Sequence, residues 1–227
     1  MSLPALIAAG VPSVQANASS TVALFPGGAT SVWAYRDGLG SVGRASLKAL
    51  LVATLMGGAV GGLLLLYTPS RAFDVILPWL LLIATLALAF GPRAGEWLRA
   101  RWSIVPSVVV IIQFGLGVYG GYFGGAVGIM MIAVWGLLDK RDLKSLHGPR
   151  TLMVSAANAI AVFIFIAARA VRWPQTLAML AGAMLGGCCG ALIGRRAPSQ
   201  IIRAGTLLLT ALITAAFFVR AYGMHAG

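Results

Sequence analysis

Between Arg101 and Asp139 the chain runs 37 residues without a charge, and seven of the 14 positions from 115 to 128 are glycine. One helix crosses the roughly 30 Å hydrocarbon core of a bilayer with about 20 residues at about 1.5 Å each. The run is therefore too long for one crossing and short for two full ones. Gly115, Gly117, Gly120, Gly121, Gly124, Gly125 and Gly128 weaken any helix that contains them and leave backbone amides open. Bare backbone at membrane depth persists only where protein or a wet cavity covers it. A glycine-rich break inside an apolar run thus points to a transport site.

The composition agrees with a bilayer. Hydrophobic residues make up 59% of the 227 and charged residues 10%, against about 25% charged in an ordinary soluble domain. A net charge of +12 would suggest nucleic acid in a soluble protein. Here the arginines and lysines lie in short loops between apolar spans, where they set orientation instead. Cys188 and Cys189 are neighbours inside one span and form no disulfide framework. His147 and His225 are too far apart in sequence to suggest a metal site, and no cofactor is expected. No nucleophile with a base lies at membrane depth, which argues against an enzyme.

Charge-free stretches place spans at 14–35, 49–68, 75–90, 103–138, 151–168, 176–194 and 204–219. Trp33, Tyr35, Tyr67, Trp79, Trp102, Trp135 and Trp173 fall near span ends, at the headgroup level that amphipathic rings prefer. Tyr119 and Tyr122 instead sit inside the glycine run. Residues 2–12 are apolar but too few to cross; they either lie at an interface or continue something upstream. No basic residue precedes Arg36, so the positive n-region of a signal peptide is absent.

An internal repeat is present. Gly57, Gly58, Gly61, Pro69 and Ser70 recur as Gly186, Gly187, Gly190, Pro198 and Ser199, each at an offset of 129. Upstream the offset is 130, pairing Thr21 with Thr151 and Gly28 with Asn158. If the long run enters and returns on one side, loops 36–48, 91–102, 139–150 and 195–203 share a face that carries 13 of the 17 basic residues. A single crossing would split them 9 to 8, so the positive-inside rule favours the hairpin. Five crossings then separate the copies, which face opposite ways as in many secondary transporters. The expected fold is an all-α polytopic membrane protein of roughly seven to eight transmembrane helices in two inverted repeats. The first repeat covers 1–91, a cytoplasmic loop 92–102, and the second repeat 103–222 with its glycine-rich broken or re-entrant hairpin at 103–138. Subtracting 129 from 115–128 lands before Met1, so the first copy is expected to lack such a hairpin.

Gly117-Val118-Tyr119-Gly120-Gly121-Tyr122-Phe123-Gly124-Gly125-Ala126-Val127-Gly128 is similar to the second-half glycine motif of the sulfite exporter TauE/SafE family of bacterial membrane transporters. Residues 16–28, continuing to Trp33-Ala34-Tyr35-Arg36, resemble its first-half signature, and Asn158-Ala159-Ile160 resembles the matching helix of the second half. The resemblance covers nearly the whole chain. It implies a transporter in the bacterial inner membrane that moves a small organic or sulfur-containing anion, sulfite- or sulfonate-like, by alternating access. The partners implied are that anion and the lipid bilayer, with no nucleic acid and with homo-oligomerisation left open. The alternative is a non-transporting membrane subunit or truncated remnant.

No Asp, Glu, Lys or Arg lies within an expected span, and Asp74 and Arg203 border spans, which disfavours a buried-carboxylate mechanism. An anion needs only donors, which a broken helix supplies through its amides and the positive end of its dipole. The expected substrate-binding positions are Gly117, Tyr119, Gly120, Gly121, Tyr122, Gly124, Gly125 and Gly128, with both tyrosine hydroxyls as donors. The plain alternative is close helix packing, since Gly117, Gly121, Gly125 and Gly120, Gly124, Gly128 recur every four residues. Pro26-Gly27-Gly28 is expected to interrupt the first span, as a kink or as the first-half wall of the site. Asn17, Ser19, Ser20 and Thr21 crowd one end of that span, where they also suit a cap. Asn158 needs a polar partner in lipid, on another helix or along a substrate path. Gln113 carries a weaker form of the same signal, and the cysteines read as packing residues.

Overall fold

A computed structural model describes residues 2–34, 45–99, 106–124, 127–138, 146–194 and 199–223. The described part is all-α: α1 (Ser2–Ala8), α2 (Ser13–Ala34), α3 (Leu47–Tyr67), α4 (Ser70–Arg99), α5 (Pro106–Phe123), α6 (Val127–Leu138), α7 (His147–Ala167), α8 (Trp173–Gly194) and α9 (Ser199–Phe218). A π-helical turn, Val219–Gly223, extends α9. Four stretches are long and apolar enough to cross a bilayer: Leu47–Tyr67, Ser70–Phe90, His147–Ala167 and Ala204–Tyr222. α2 and α8, at 22 residues each, are equally long.

The apolar runs locate the spans well and their ends less well. α4 starts at Ser70 and continues to Arg99, so Arg71 and Asp74 lie in its opening turns. α9 starts at Ser199 and contains Arg203. An apolar run marks the part inside lipid, whereas backbone hydrogen bonding carries a helix on into water. Pro26 does not split the first span: α2 is helical from Ser13 to Ala34 with the proline inside it, so the expected interruption is not a gap in the helix. Around the proline, Thr30 Oγ1 donates to the Pro26 and Gly27 carbonyls at 3.1 and 3.0 Å, and Ser31 Oγ to Gly27 at 2.8 Å. These hydroxyls bond carbonyls on the C-terminal side of the proline and leave the Val22 carbonyl, which Pro26 deprives of its amide, unaffected.

Side-chain contacts fix the helix directions. Thr54, Gly58 and Gly62 of α3 meet Met153, Ala157 and Ala161 of α7 in that order, so the two helices run parallel. α5 also runs parallel to α3, with Gly57 against Phe114 and Gly61 against Val118. α2 runs against α7: Gly28 lies at Ser155, while Ser19 Oγ accepts the Arg172 amide at 2.9 Å beyond the end of α7. α4 runs against α9, with Trp79 Nε1 donating to Tyr222 Oη at 2.9 Å and Thr85 sharing a 3.3 Å hydrogen bond with Thr214. Thus α2 and α7, and likewise α4 and α9, are repeat mates that point in opposite directions. Thr85 and Thr214 are themselves separated by 129 positions.

The long run is a hairpin. α5 ends at Phe123 and α6 begins at Val127, and Trp135 Nε1 donates to Gln113 Oε1 at 2.9 Å. These two residues stand equally far from Gly124, so the arms lie side by side and return to the same face. At 12 residues α6 is about 18 Å long, which reaches only part of the way across.

Two apolar cores cap the bundle. The core at the α3–α4 end joins Leu65, Phe73, Leu77, Phe123, Phe165 and Phe217. Leu3, Leu6, Ile7 and Val11 are buried in it, so α1 packs one face against the protein while Ala5, Ala8, Ala9, Gly10 and Pro12 stay exposed. A tight turn returns the chain from α1 to α2, with Gly10 at φ +81° and amide bonds from Gly10 to Ile7 and Val11 to Leu6. The core at the opposite end joins Leu50, Val109, Met131, Trp135 and Met153. Trp33, Tyr67, Trp79 and Trp173 are exposed as an interfacial belt requires, but Trp135 is buried at 1% exposure. Its N–H is paired inside the hairpin, so it anchors the hairpin and not the headgroup layer. Tyr35 and Trp102 lie outside the described residues.

Candidate functional site

The glycine run divides into two parts with different surroundings. A Cβ on Gly121 would run into the Gly58 carbonyl, and one on Gly117 would lie 2.8 Å from the Thr54 carbonyl. Gly57 and Gly61 meet α5 backbone in the same way. These four residues form a seam where α3 and α5 touch backbone to backbone, leaving no space for a ligand. Gly120 fits between Val127 of α6 and Ala157 of α7, at 3.1 and 3.3 Å. Gly128 faces Val154.

Gly124 is different. It holds φ +67°, a conformation that suits glycine, and its amide makes the last helical bond of α5, to the Gly120 carbonyl at 2.7 Å. A Cβ there would lie 2.7 Å from Thr21 Oγ1 and 3.7 Å from Asn158 Oδ1. The break in the hairpin therefore sits between α2 and α7. Asn158 is near the middle of a 21-residue helix, so the break lies near mid-bilayer. The first-turn amides of α6, unpaired by helix geometry, open beside it.

The N-terminal half of α2 supplies the polar wall. Ser13, Asn17, Ser19, Ser20 and Thr21 are buried, as are Ala16 and Ala18. Burial of so many polar groups requires partners. Asn17 Nδ2 donates to the Tyr122 carbonyl at 2.9 Å, and Thr21 Oγ1 donates to the Asn17 carbonyl at 3.0 Å. Gln15 Oε1 accepts from Arg172 Nε at 2.7 Å, and Ser13 Oγ bonds Asp74 Oδ1. Below Thr21 the character of α2 changes: Leu24, Pro26, Gly27, Trp33 and Ala34 are exposed.

Across from this wall, α7 presents Ser155 Oγ and Asn158 Oδ1, both buried and without a hydrogen-bond partner among the described residues. Ser155 is 7% exposed and lies 3.1 Å from the Cβ position of Gly28. Orphaned polar atoms in a buried setting cost stability, and a site that receives a polar ligand is one reason to keep them.

The structure thus brings Gly124 together with Asn158 and Thr21 at the break, sets Gly120 one turn before it beside Ala157, and sets Gly28 against Ser155 two turns of α2 below Thr21. It assigns Gly117 and Gly121 to the α3–α5 seam. Pro26 and Gly27 lie on the exposed part of α2, and nothing approaches within 4 Å of a Cβ at Gly27. Tyr119 Oη donates to the Leu80 carbonyl at 3.1 Å and Tyr122 Oη to Thr68 Oγ1 at 3.3 Å, so both hydroxyls are engaged away from the break. Gly125 and the side chains of Cys188 and Cys189 lie outside the described residues. Ser155 escaped the sequence reading, although its spacing of three from Asn158 puts both on one helix face.

Beneath the break the hairpin is bolted to its neighbours. Trp135 Nε1 donates to Gln113 Oε1 at 2.9 Å, Gln113 Nε2 to Thr54 Oγ1 at 2.7 Å, and Thr54 Oγ1 to the Leu50 carbonyl at 2.7 Å, with Met153 Sδ at 3.2 Å. Gln113 and Thr54 are fully buried. Gln113 is therefore a structural link among α3, α5, α6 and α7, with both its amide nitrogen and its oxygen engaged by the protein.

A hairpin broken at mid-bilayer between oppositely directed repeat mates defines a polytopic membrane protein of transporter type. Residues 1–217 match the family described as "Sulfite exporter TauE/SafE", and the chain belongs to that family. It is 26% identical over 216 residues to a "Probable membrane transporter protein" of Haemophilus influenzae, covering 95% of this chain and 84% of that protein. It is also 26% identical over 225 residues to "Probable membrane transporter protein YfcA" of Escherichia coli K12, covering 99% of this chain and 83% of that one. No solved structure matches it. The chain is a multi-pass protein of the bacterial inner membrane, and these relatives are described as probable membrane transporters.

Proposed function

We propose that the chain is a secondary transporter of a small anion, of the sulfite or sulfonate type, working by alternating access. The observation that carries this reading is the break at Gly124, beside Asn158 and Thr21, from which α6 sets out near mid-bilayer, with the unpartnered Ser155 one turn below Asn158 on α7. The α6 amides and helix dipole favour negative charge, and the Ser155 hydroxyl adds a donor. No basic side chain is needed, which keeps binding weak enough for release. The inverted halves, 1–91 and 103–222 joined through 92–102, are the parts that rock against each other. At the α3–α4 end the site is sealed by the apolar core and by the Ser13–Asp74 and Gln15–Arg172 bonds. The exposed lower part of α2 leaves the opposite end less covered.

Proteoliposomes holding the purified chain test this directly. Counterflow of labelled sulfite, small sulfonates and small carboxylates is the measurement. Saturable exchange of a sulfur oxyanion, lost in Ser155→Ala with normal insertion, supports the proposal. Exchange of carboxylates alone would reassign the substrate class, and absence of exchange for every anion would overturn the reading.

A further inference from the structure

The two orphaned atoms on α7 differ in chemistry. Ser155 Oγ carries a proton to donate, whereas Asn158 Oδ1 can only accept. Near Asn158 Oδ1, around the Cβ position of Gly124, lies Thr21 Oγ1, whose proton is already committed to the Asn17 carbonyl at 3.0 Å. Thr21 therefore also presents lone pairs to this point. The Phe123 carbonyl, peptide-bonded to Gly124, ends α5 at the same place with the negative end of its helix dipole, whereas the Tyr122 carbonyl is taken by Asn17. Acceptors gather above the break, and donors lie below it, at Ser155 and the first turn of α6. An anion does not satisfy the upper group.

We infer a binding site for a monovalent cation of the sodium type, formed by Asn158 Oδ1, Thr21 Oγ1 and the Phe123 carbonyl that ends α5. This rests on the reading of the break as a substrate site and deepens it: the cation would sit beside the anion and couple its movement to the sodium gradient. Hydroxyl, carboxamide and carbonyl oxygens suit a hard cation. Divalent ions usually draw on carboxylates, and among the described residues no group of three His, Cys, Asp or Glu stands ready to hold a metal. Broken helices elsewhere use their carbonyl ends for cations and their amide ends for anionic groups. Both ends are present here, within one residue stretch. Asp74, the acidic side chain bordering this region, is bonded to Ser13 at the start of α2, two turns above Thr21, and contributes no ligand.

Thermal unfolding of the purified full chain in detergent reads cation binding without any transported anion, because a ligand that binds only the folded state raises Tm in proportion to its occupancy. Sodium chloride is titrated against choline chloride and potassium chloride at constant ionic strength. A saturable rise in Tm with sodium and none with choline is expected. Thr21→Val and Asn158→Leu should each raise the half-saturating sodium concentration at least about tenfold, as loss of one ligand does. In choline, Asn158→Leu should unfold no lower than the parent, because it removes a buried acceptor that has no partner. Thr21→Ser keeps the oxygen and should keep the response, and Ser155→Ala should keep it too while losing anion exchange. That last pair separates the two proposals. Identical Tm in sodium and choline at all concentrations, or an undiminished sodium response in both Thr21→Val and Asn158→Leu, would overturn the cation site.

Discussion

At the scale of single residues, the most consequential position is Gly124. Alanine there must adopt φ +67°, which costs about 1–2 kcal/mol for an L-residue, and its Cβ must displace Thr21 Oγ1 from 2.7 Å. Gly124→Ala is expected to abolish anion exchange while the protein still reaches the membrane. Gly27→Ala is the control: the site is helical and open, so the substitution should leave exchange intact and stabilise α2 by roughly 0.5–1 kcal/mol. Equal loss in both variants would remove the special role of the break. Tyr122→Phe should not change the half-saturating anion concentration, since its hydroxyl bonds Thr68 at the end of α3. The glycines were visible in the sequence as a group, but their division was not. Gly121 and Gly124 differ by three positions and look alike until the partner helix is known: one lies against the Gly58 carbonyl, the other against two polar side chains. Ser155 stayed hidden because a lone serine in an apolar helix usually bonds its own backbone.

At the scale of elements, the hairpin was legible and its lock was not. Length and charge alone require residues 103–138 to turn back, and the structure pairs Gln113 with Trp135 across that turn. Which tryptophan meets which glutamine depends on the register of two arms about a break, and periodicity does not give that. Gln113→Leu leaves the Trp135 N–H buried without an acceptor and should lower stability by about 1–3 kcal/mol. Adding Trp135→Phe removes the orphaned donor, so the double variant should be more stable than the two single losses added together. Thermal unfolding of the four members of this cycle checks it, and strict additivity would mean the bond contributes nothing. Pro26 shows the converse limit. Its sequence context reads as a break, yet α2 passes through it, because a proline removes one helical hydrogen bond and the rest of the turn can remain.

At the scale of the molecule, alternating access requires the seal at the α3–α4 end to open. Ser13 on α2 and Asp74 on α4 bond across that seal. With Cys188 and Cys189 first replaced by alanine, Ser13→Cys combined with Asp74→Cys should cross-link under oxidation, stop exchange, and recover it on reduction. Full exchange by the cross-linked protein would mean that this end does not gate the path. The all-α, polytopic character and the position of nearly every span followed from charge-free lengths, because a bilayer punishes exposed charge strongly. The inward packing of α1 did not follow, since a short apolar segment suits an interface and a core equally well and only its neighbours decide.

The Thr85–Thr214 bond carries a historical consequence. In a two-fold assembly, only residues on the axis touch their own copies. These two threonines occupy equivalent places in the two halves and share a hydrogen bond. If the two halves descend from one sequence, these threonines were one residue meeting itself across a pair of identical subunits. Such a pair could form only if the same polypeptide entered the membrane in both orientations. The ancestral half therefore had to be indifferent to sidedness, with its positive charge balanced between its ends. Fusion ends that indifference: it fixes each half in a single orientation and leaves each free to acquire the charges that hold it there.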